Sequence, residues 1–402
     1  MTESQIIPAV RNSADVLILG AGPAGLVLGN LLHTAGVDCV ILERATPEQL
    51  ASRSRAGFLA ANTVRILDRH GLAEGLHRHG REHALCEFRT EDGSFRLDYA
   101  TLGRGERHTV YPQHHLVADL LRQYRQAGGR VEFGTEAVAV LDIDSDRPRV
   151  TVTTGPAGGS ATWSGRYVAG CDGRHGAARR SLPPGGYRHH RHDHGLSWLG
   201  LLAEAPPSLD AVGYAVHRRG FAGHMARTPA LTRYYLQCEP GTPADRLSDD
   251  RIWAELEQRL RTDEHGPLHH GPIVHRTVID LESDVIEPLR HGSLLLAGDA
   301  ASLFSPSAAK GANLAVLEAE LLAAALLARL HHGDSGGLDD YSRRSLEHIW
   351  RAQEFSHWMV QLLHRTPQSG SPFDDARRRS RLASLRDSRT FQDWFADHYV
   401  GV

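Results

Sequence analysis

One stretch constrains this chain more than any other: Asp15-Val16-Leu17-Ile18-Leu19-Gly20-Ala21-Gly22-Pro23-Ala24-Gly25. A short apolar run ends in G-x-G-x-x-G, and a helical pattern follows through Leu26, Leu28, Leu31 and Leu32. Each glycine answers a steric need. Gly20 permits the tight turn, Gly22 lets the backbone approach a pyrophosphate, and Gly25 lets helix and strand pack closely. The helix start offers unpaired N–H groups and a partial positive charge to phosphates. A second apolar strand, Val37 to Leu42, leads to Glu43, about 20 residues past the fingerprint, where an acid holds a ribose hydroxyl. A lone glycine fingerprint is weak. Strand, glycines, helix, strand and acid in register predict an adenine-dinucleotide site.

At 402 residues the chain exceeds one typical domain, so two closely joined domains or one elaborated domain are expected. A net charge of −3 with no basic face argues against a nucleic-acid partner. Cys39, Cys86, Cys171 and Cys238 are widely spaced with no C-x-x-C pair, and read as reduced core residues of a cytoplasmic protein. No signal-peptide pattern precedes the first strand, and residues 1–14 read as a polar, frayed lead-in. The most apolar helical stretch, Leu314 to Leu330, carries Glu318, Glu320 and Arg329, which argues against a membrane span.

Beyond Glu43, residues 44–51 read as a polar connection and Val64, Ile66 and Leu67 as part of a helix. Two strand-like runs flank Glu91-Asp92-Gly93, a hairpin signal. Leu116 to Tyr124 reads as a helix, and Val131 to Thr153 as three strands of a small inserted sheet. A further apolar strand runs into Cys171-Asp172-Gly173, a turn at a sheet edge where ligands of open α/β sheets collect. Residues 184–195 read as a linking loop. Its His189, His190, His192 and His194 lack a coordinating scaffold such as H-x-x-x-H on a helix, so they read as solvated and no metal is expected. Residues 196–290 look largely β, interrupted by one helix, Ser248 to Leu260. Ser293 to Leu296 is another buried strand, ending in Ala297-Gly298-Asp299-Ala300-Ala301, and helices fill the remainder.

Three motifs thus stand on three strands: G-x-G-x-x-G early, C-D-G in the middle and A-G-D-A-A late. That order resembles the flavin-dependent aromatic hydroxylases and, within them, the 4-hydroxybenzoate 3-hydroxylases. The resemblance runs over essentially the whole chain. It is carried by Ser54-Arg55-Ala56-Gly57, Tyr111-Pro112-Gln113, Ala169-Gly170-Cys171-Asp172-Gly173 and Arg233-Tyr234-Tyr235. Ala297 to Ala301, Ala309-Lys310-Gly311-Ala312-Asn313 and the terminal Tyr399-Val400-Gly401 carry it further.

The resemblance implies an α/β fold: an FAD-binding Rossmann-like three-layer domain over residues 1–187 with an inserted small sheet, then a mainly β substrate domain over 188–297. Residues 298–402 would supply the flavin-contacting return and a helical C-terminal region with a homodimer interface. Gly20, Gly22, Gly25, Glu43 and Arg44 would hold the ADP half of FAD, with Arg55, Gln113 and Asp172 close by. Asp299 would contact the ribityl–pyrophosphate region. Lys310, Gly311, Ala312 and Asn313 would open a helix toward the flavin, whose dipole stabilises negative charge on the reduced ring. Arg233 would lie against the isoalloxazine. Arg227 would grip a substrate carboxylate, assisted by Tyr235, with Pro306 and Ser307 beside the substrate. Tyr214 and Tyr399 would hydrogen-bond its phenol, and His83 would relay the proton to solvent. Arg55, Arg174, His175 and Glu282 would line the nicotinamide route. The implied reaction is hydroxylation of a 4-hydroxybenzoate-type acid ortho to its phenol, with NADPH or NADH and O₂, through a flavin C4a-hydroperoxide.

Departures from the family pattern are informative. Met225 replaces a serine beside the carboxylate arginine, and Gly223 a larger apolar residue on the same strand face. Phe58, Val212 and Ser305 also differ, and Gln49 replaces a tyrosine in a segment tied to NADPH preference. Arg174 stands where an aromatic is common and Glu282 where an arginine is, which suggests a replacement ion pair favouring NADH or dual use. Space opened at Gly223 would admit a ring substituent beside the phenol, making a 3-substituted 4-hydroxybenzoate an alternative substrate. A flavin oxidoreductase without oxygen insertion is a rival that has no need of His83, Tyr214 and Tyr399. A non-catalytic flavin sensor is a second rival.

Overall fold

The computed structural model describes residues 12–52, 57–155, 158–262, 266–365 and 371–401. The fingerprint strand Val16–Leu19 is buried at every residue. It lies between two parallel neighbours, Tyr167–Gly170 and Cys39–Glu43, and a strand covered on both faces reads as an unbroken apolar run. The six-stranded sheet runs Arg290–His291, Leu294–Leu296, Tyr167–Gly170, Val16–Leu19, Cys39–Glu43, Arg130–Phe133. Helix Pro23–Thr34 packs on it together with Gln113–Gln126 and Gly311–His332.

A second sheet of eight strands forms the other half of the molecule, in the order Ser302–Leu303, Ile273–Glu287, Arg188–Ala203, Leu231–Cys238, Ala222–Thr228, Val212–Ala215, Leu85–Thr90, Gly93–Asp98. Its register opposes Tyr214 to Gly223 and Gly223 to Tyr235, so these side chains share one face. On the opposite face Ala215, Ala222, Tyr234 and Leu236 pack against Ile252, Trp253 and Leu256 of helix Asp249–Leu260. The Tyr214 face looks instead toward Phe355, Met359, Phe395 and Tyr399 of the C-terminal helices.

Several expectations need correction. The sheets cross the divisions drawn at 187/188 and 297/298: strands 85–98 join the eight-stranded sheet, and strands 290–296 the six-stranded one. Arg130–Phe133 pairs with Cys39–Glu43 in the main sheet, leaving the small sheet with Thr135–Leu141, Arg149–Thr154 and Gly159–Ser164. The polar connection after Glu43 contains helix Pro47–Ser52. A capping box opens it: Thr46 Oγ1 accepts the Gln49 N–H at 3.3 Å, and Gln49 Oε1 accepts the Thr46 N–H at 3.0 Å. Most consequential, residues 188–195 are no loop. They begin a 16-residue strand, Arg188–Ala203, paired along Ile273–Glu287. Histidine has no strong strand preference; the 15-residue partner strand and the cross-strand bonds His190–Glu287 (2.9 Å) and Arg191–Glu282 (2.6 Å) impose the conformation.

Helix Gly311–His332 is long and apolar enough to cross a membrane by length and composition. Here it is a core helix, packed on Pro23–Thr34 and Gly336–Leu363, with Glu318 buried and bonded at 2.6 Å to the Gly298 N–H. All four cysteines are free, Cys39 and Cys86 buried, Cys171 and Cys238 half-buried.

Candidate active site

A cleft opens at the carboxyl ends of the parallel strands, where a doubly wound sheet places its ligands. Gly20, Gly22, Glu43, Arg44, Gln113, Asp172, Arg174 and His175 line it. Asp299, Gly311 and Ala312 belong to the same lining. The three fingerprint glycines differ in what surrounds them. Gly20 has φ +94°, and a Cβ there would meet the Cys171 carbonyl oxygen at 2.6 Å. A Cβ at Gly25 would run into the Gly20 carbonyl. A Cβ at Gly22 would meet nothing within 4 Å, so this position faces the cleft and keeps it open for a ligand.

Glu43 is buried and accepts the Ala21 N–H at 2.7 Å and the Ala45 N–H at 2.8 Å, tying the glycine turn to the second strand. Asp172 accepts the Ala178 N–H at 3.0 Å through one oxygen, while the other is buried without a partner. Burial raises its pKa. At the start of helix Gly311–His332 the first N–H groups have no intrahelical acceptor, and Gly311 and Ala312 present this end to the cleft. An anion-receptive turn, an acid with a vacant oxygen and a helix N-terminus fit a dinucleotide bearing a flavin.

Two residues expected at the cofactor are used otherwise by their side chains. The buried Lys310 ammonium donates to the carbonyls of His398 (2.6 Å), Tyr399 (3.1 Å) and Gly401, fastening the end of the chain. Burial pulls its pKa down to about 7. Asn313 donates to the Phe58 and Ala309 carbonyls and accepts from the Ala60 N–H and the Thr63 hydroxyl, so its amide is fully engaged within the protein. Arg55 lies outside the described residues.

The sheet face bearing Tyr214 carries the second constellation. Tyr214 and Tyr399 join hydroxyls at 2.7 Å, both phenols buried. Met225 stands opposite Arg233, and Tyr235 opposite Gly223. The half-buried Arg227 has its Nη1 buried without a partner. Burial lowers its pKa, with Tyr235 and Arg233 acting in opposite senses. Gly223 is not a vacancy: a Cβ there would meet Phe221 Cζ at 2.9 Å and Tyr235 Cδ2 at 3.2 Å. Phe221 itself stacks on Trp198, with centroids 5.1 Å apart. Phe221 thus takes up the space directly beside the Gly223 Cα. Ser307 turns its hydroxyl to Ser305 at 2.9 Å, and Pro306 is exposed.

His83 is half-buried, and its Nδ1 lies 2.8 Å from the Tyr99 hydroxyl, which also lies 3.3 Å from His108 Nδ1. The Tyr99 and His108 rings pack edge-on to Tyr399 at 5.3 and 5.0 Å. Burial brings His83 down to about 4 and His108 well below its usual value. Sequence reasoning missed Tyr99 and His108, since only the pairing of Arg81–His83 with His108–Val110 brings them together. It also missed His114, which lines the cleft with its Nδ1 buried and unbonded. Burial lowers the His114 pKa, as do the nearby charges of His115 and Arg227.

Arg174 and Glu282 do form an ion pair. Arg191 joins it, 2.6 Å from the other Glu282 oxygen. Burial acts to raise Glu282, but the two guanidinium groups outweigh it and hold the carboxyl below its ordinary value.

Residues 13–356 match the family described as "FAD binding domain". The chain is 36% identical over 387 residues to the p-hydroxybenzoate hydroxylase of Acinetobacter baylyi, across 96% of this chain and 95% of that protein. It is 29% identical over 335 residues to the 3-amino-4-hydroxybenzoate 2-monooxygenase PtmB3 of Streptomyces platensis, across 78% and 79%. The p-nitrophenol 4-monooxygenase PnpA from Pseudomonas putida DLL-E4 superposes with a TM-score of 0.82 over 97% of this chain and 99% of that one; at 19% identity this is a likeness of fold.

Proposed function

This chain belongs to the FAD-binding-domain family of flavin-dependent aromatic monooxygenases, and from that premise we propose that it hydroxylates 4-hydroxybenzoate ortho to the phenol, with NAD(P)H and O₂. When bound, the flavin supplies electron transfer from the reductant and oxygen transfer to the ring. The chain's own residues do the rest. Arg227, with a buried unpaired Nη1, takes the substrate carboxylate in a charge-assisted bidentate contact. Tyr214 receives the phenol and passes its proton to Tyr399 along their 2.7 Å hydrogen bond. Burial pushes both tyrosines well above the usual phenol range, so the pair hands a proton on and stays neutral. The neutral, half-buried His83 takes the proton on toward solvent once the Tyr99 hydroxyl turns from the His83 carbonyl to the His83 Nδ1, 2.8 Å from it; a bridging water is needed between Tyr399 and Tyr99, whose contact is ring to ring. A phenolate is the more reactive ring toward an electrophilic oxygen, which is why proton removal serves the reaction.

The observation that carries this reading is one sheet face bearing both an arginine with a buried, unbonded Nη1 and a hydrogen-bonded pair of buried phenols. The test uses the FAD-loaded protein with 4-hydroxybenzoate, NADPH or NADH, and ¹⁸O₂. The expected product is 3,4-dihydroxybenzoate carrying one labelled oxygen for each reductant consumed. Reductant oxidation yielding only hydrogen peroxide would establish the oxidoreductase reading instead. One relative is named for its action on 3-amino-4-hydroxybenzoate; the Phe221 ring beside Gly223 argues against that acid here.

A further inference from the structure

Away from the cleft, three histidines converge where the long strand Arg188–Ala203 meets helix Gly336–Leu363. His192 and His194 are two apart where the strand bulges after Asp193, and their rings meet edge-on. His357 comes from the helix, seven residues after Trp350, which packs on His190 of that strand at 5.2 Å. The spacing of seven returns to the same helix side, so one helix face covers one strand face. The imidazole centroids are 4.6, 5.2 and 5.5 Å apart. One nitrogen from each ring lies within 4.8 Å of the other two. Around a tetrahedral ion with bonds of about 2.1 Å, three nitrogens sit roughly 3.4 Å apart, a closure that small ring rotations supply.

The surroundings suit ligation. His194 is 6% exposed, and its Nε2 lies 3.1 Å from Ser283 Oγ. That outer bond orients the ring and leaves Nδ1 for the cluster, as outer partners of metal-bound histidines do. Gln361, one helical turn beyond His357, donates its amide N–H to His357 Nε2 at 2.8 Å, so that nitrogen carries a lone pair which a metal ion would take in place of this bond. His192 is exposed, which opens the cluster to entry of an ion and to a water in a fourth position.

We propose that His192, His194 and His357 bind one divalent transition-metal ion of the zinc class, with solvent as fourth ligand, stapling the strand to the helix. Neutral imidazole suits such borderline ions, whereas calcium and magnesium take oxygen ligands. This site is independent of the hydroxylation chemistry.

The test titrates Zn²⁺, and separately Co²⁺, into FAD-loaded protein freed of metal by a chelator. Wild type is expected to retain one Zn²⁺ per chain at micromolar free metal, to give the visible absorption of tetrahedral Co²⁺, and to melt at a higher temperature with Zn²⁺. Losing an outer-shell partner costs about 10–100-fold in affinity, so His192→Gln or His357→Gln, each removing a ligand, should weaken binding by roughly 100-fold or more. His192 and His357 are not fully buried, so the variants keep the fold. A control, His331→Gln/His332→Gln, removes two exposed histidines elsewhere and should leave binding unchanged. Affinity no better than millimolar, or equal affinity in wild type and the His192→Gln/His357→Gln double variant, would overturn the site.

Discussion

The Phe221 ring fills the space beside Gly223, its Cζ lying 2.9 Å from where a Cβ at position 223 would sit. A small residue on one strand position is thus answered by a large one two residues earlier. Phe221 is 1% exposed and shares contacts with Trp198, Tyr214 and His364. We expect wild type to prefer 4-hydroxybenzoate over its 3-amino and 3-hydroxy derivatives by kcat/KM. Phe221→Leu should narrow that preference and destabilise the protein by about 1–3 kcal/mol through incomplete filling. Equal or better turnover of the 3-substituted acids by wild type would show that this ring does not bound the substrate.

Arg227→Ala should weaken binding of carboxylate aromatics by about 2–5 kcal/mol, the usual loss for one partner of a buried charge pair. FAD content should stay the same, because Arg227 lies outside the cleft lining. Titration of flavin absorbance with 4-hydroxybenzoate and with 4-hydroxybenzamide separates the charge from the ring. A variant that binds the acid as tightly as wild type removes Arg227 from the site.

Gly22→Val should fold and yet lose FAD. The added Cβ meets no protein atom within 4 Å, and φ is −76°, open to any residue. The clash is therefore with the pyrophosphate alone. Full flavin occupancy in a folded variant would refute the placement of the dinucleotide.

Glu282 holds two arginines, Arg174 and Arg191. The three together carry a net positive charge, but both guanidinium groups are committed to the carboxylate. Glu282→Gln should release them for a phosphate and raise the NADPH/NADH ratio of kcat/KM, by an amount that shrinks with added salt. An unchanged ratio would place the reductant's phosphate elsewhere.

Acid should unfold this protein early. Burial holds His224 down to about 4 and His364 down to about 3. Both accept hydrogen bonds at Nε2, His224 from the Ser208 N–H (3.1 Å) and His364 from the Trp198 indole (2.7 Å), so both are neutral in the fold. An unfolded histidine titrates near 6.5. Below that pH the unfolded chain gains protons the folded one refuses, so stability is full above about 6.5 and falls as the pH drops toward 4. Each residue contributes a loss of about 3 kcal/mol across that window. Urea unfolding between pH 7.5 and 5 measures the slope, and His364→Gln should flatten it.

What the sequence determined by itself was local. The glycine turn, the strand before it, the helix after it and Glu43 obey steric rules spanning about 20 residues, and they lie as those rules require. The hairpin at Glu91-Asp92-Gly93 and the helix read from Ser248 to Leu260 are legible for the same reason. The tertiary structure decided the rest, because pairing energies between distant segments outweigh local preference. The Tyr214–Tyr399 bond spans 185 residues and exists because the last helix packs on the second sheet. The run from Arg188 to His194 reads as solvated until a partner strand of 15 residues makes it a strand and turns three of its histidines toward a helix. In the sequence Gly223 pairs with Met225 as a departure, and nothing there singles out Phe221. The tertiary structure sets the ring of Phe221, the residue just before strand Ala222–Thr228, in the place beside Gly223.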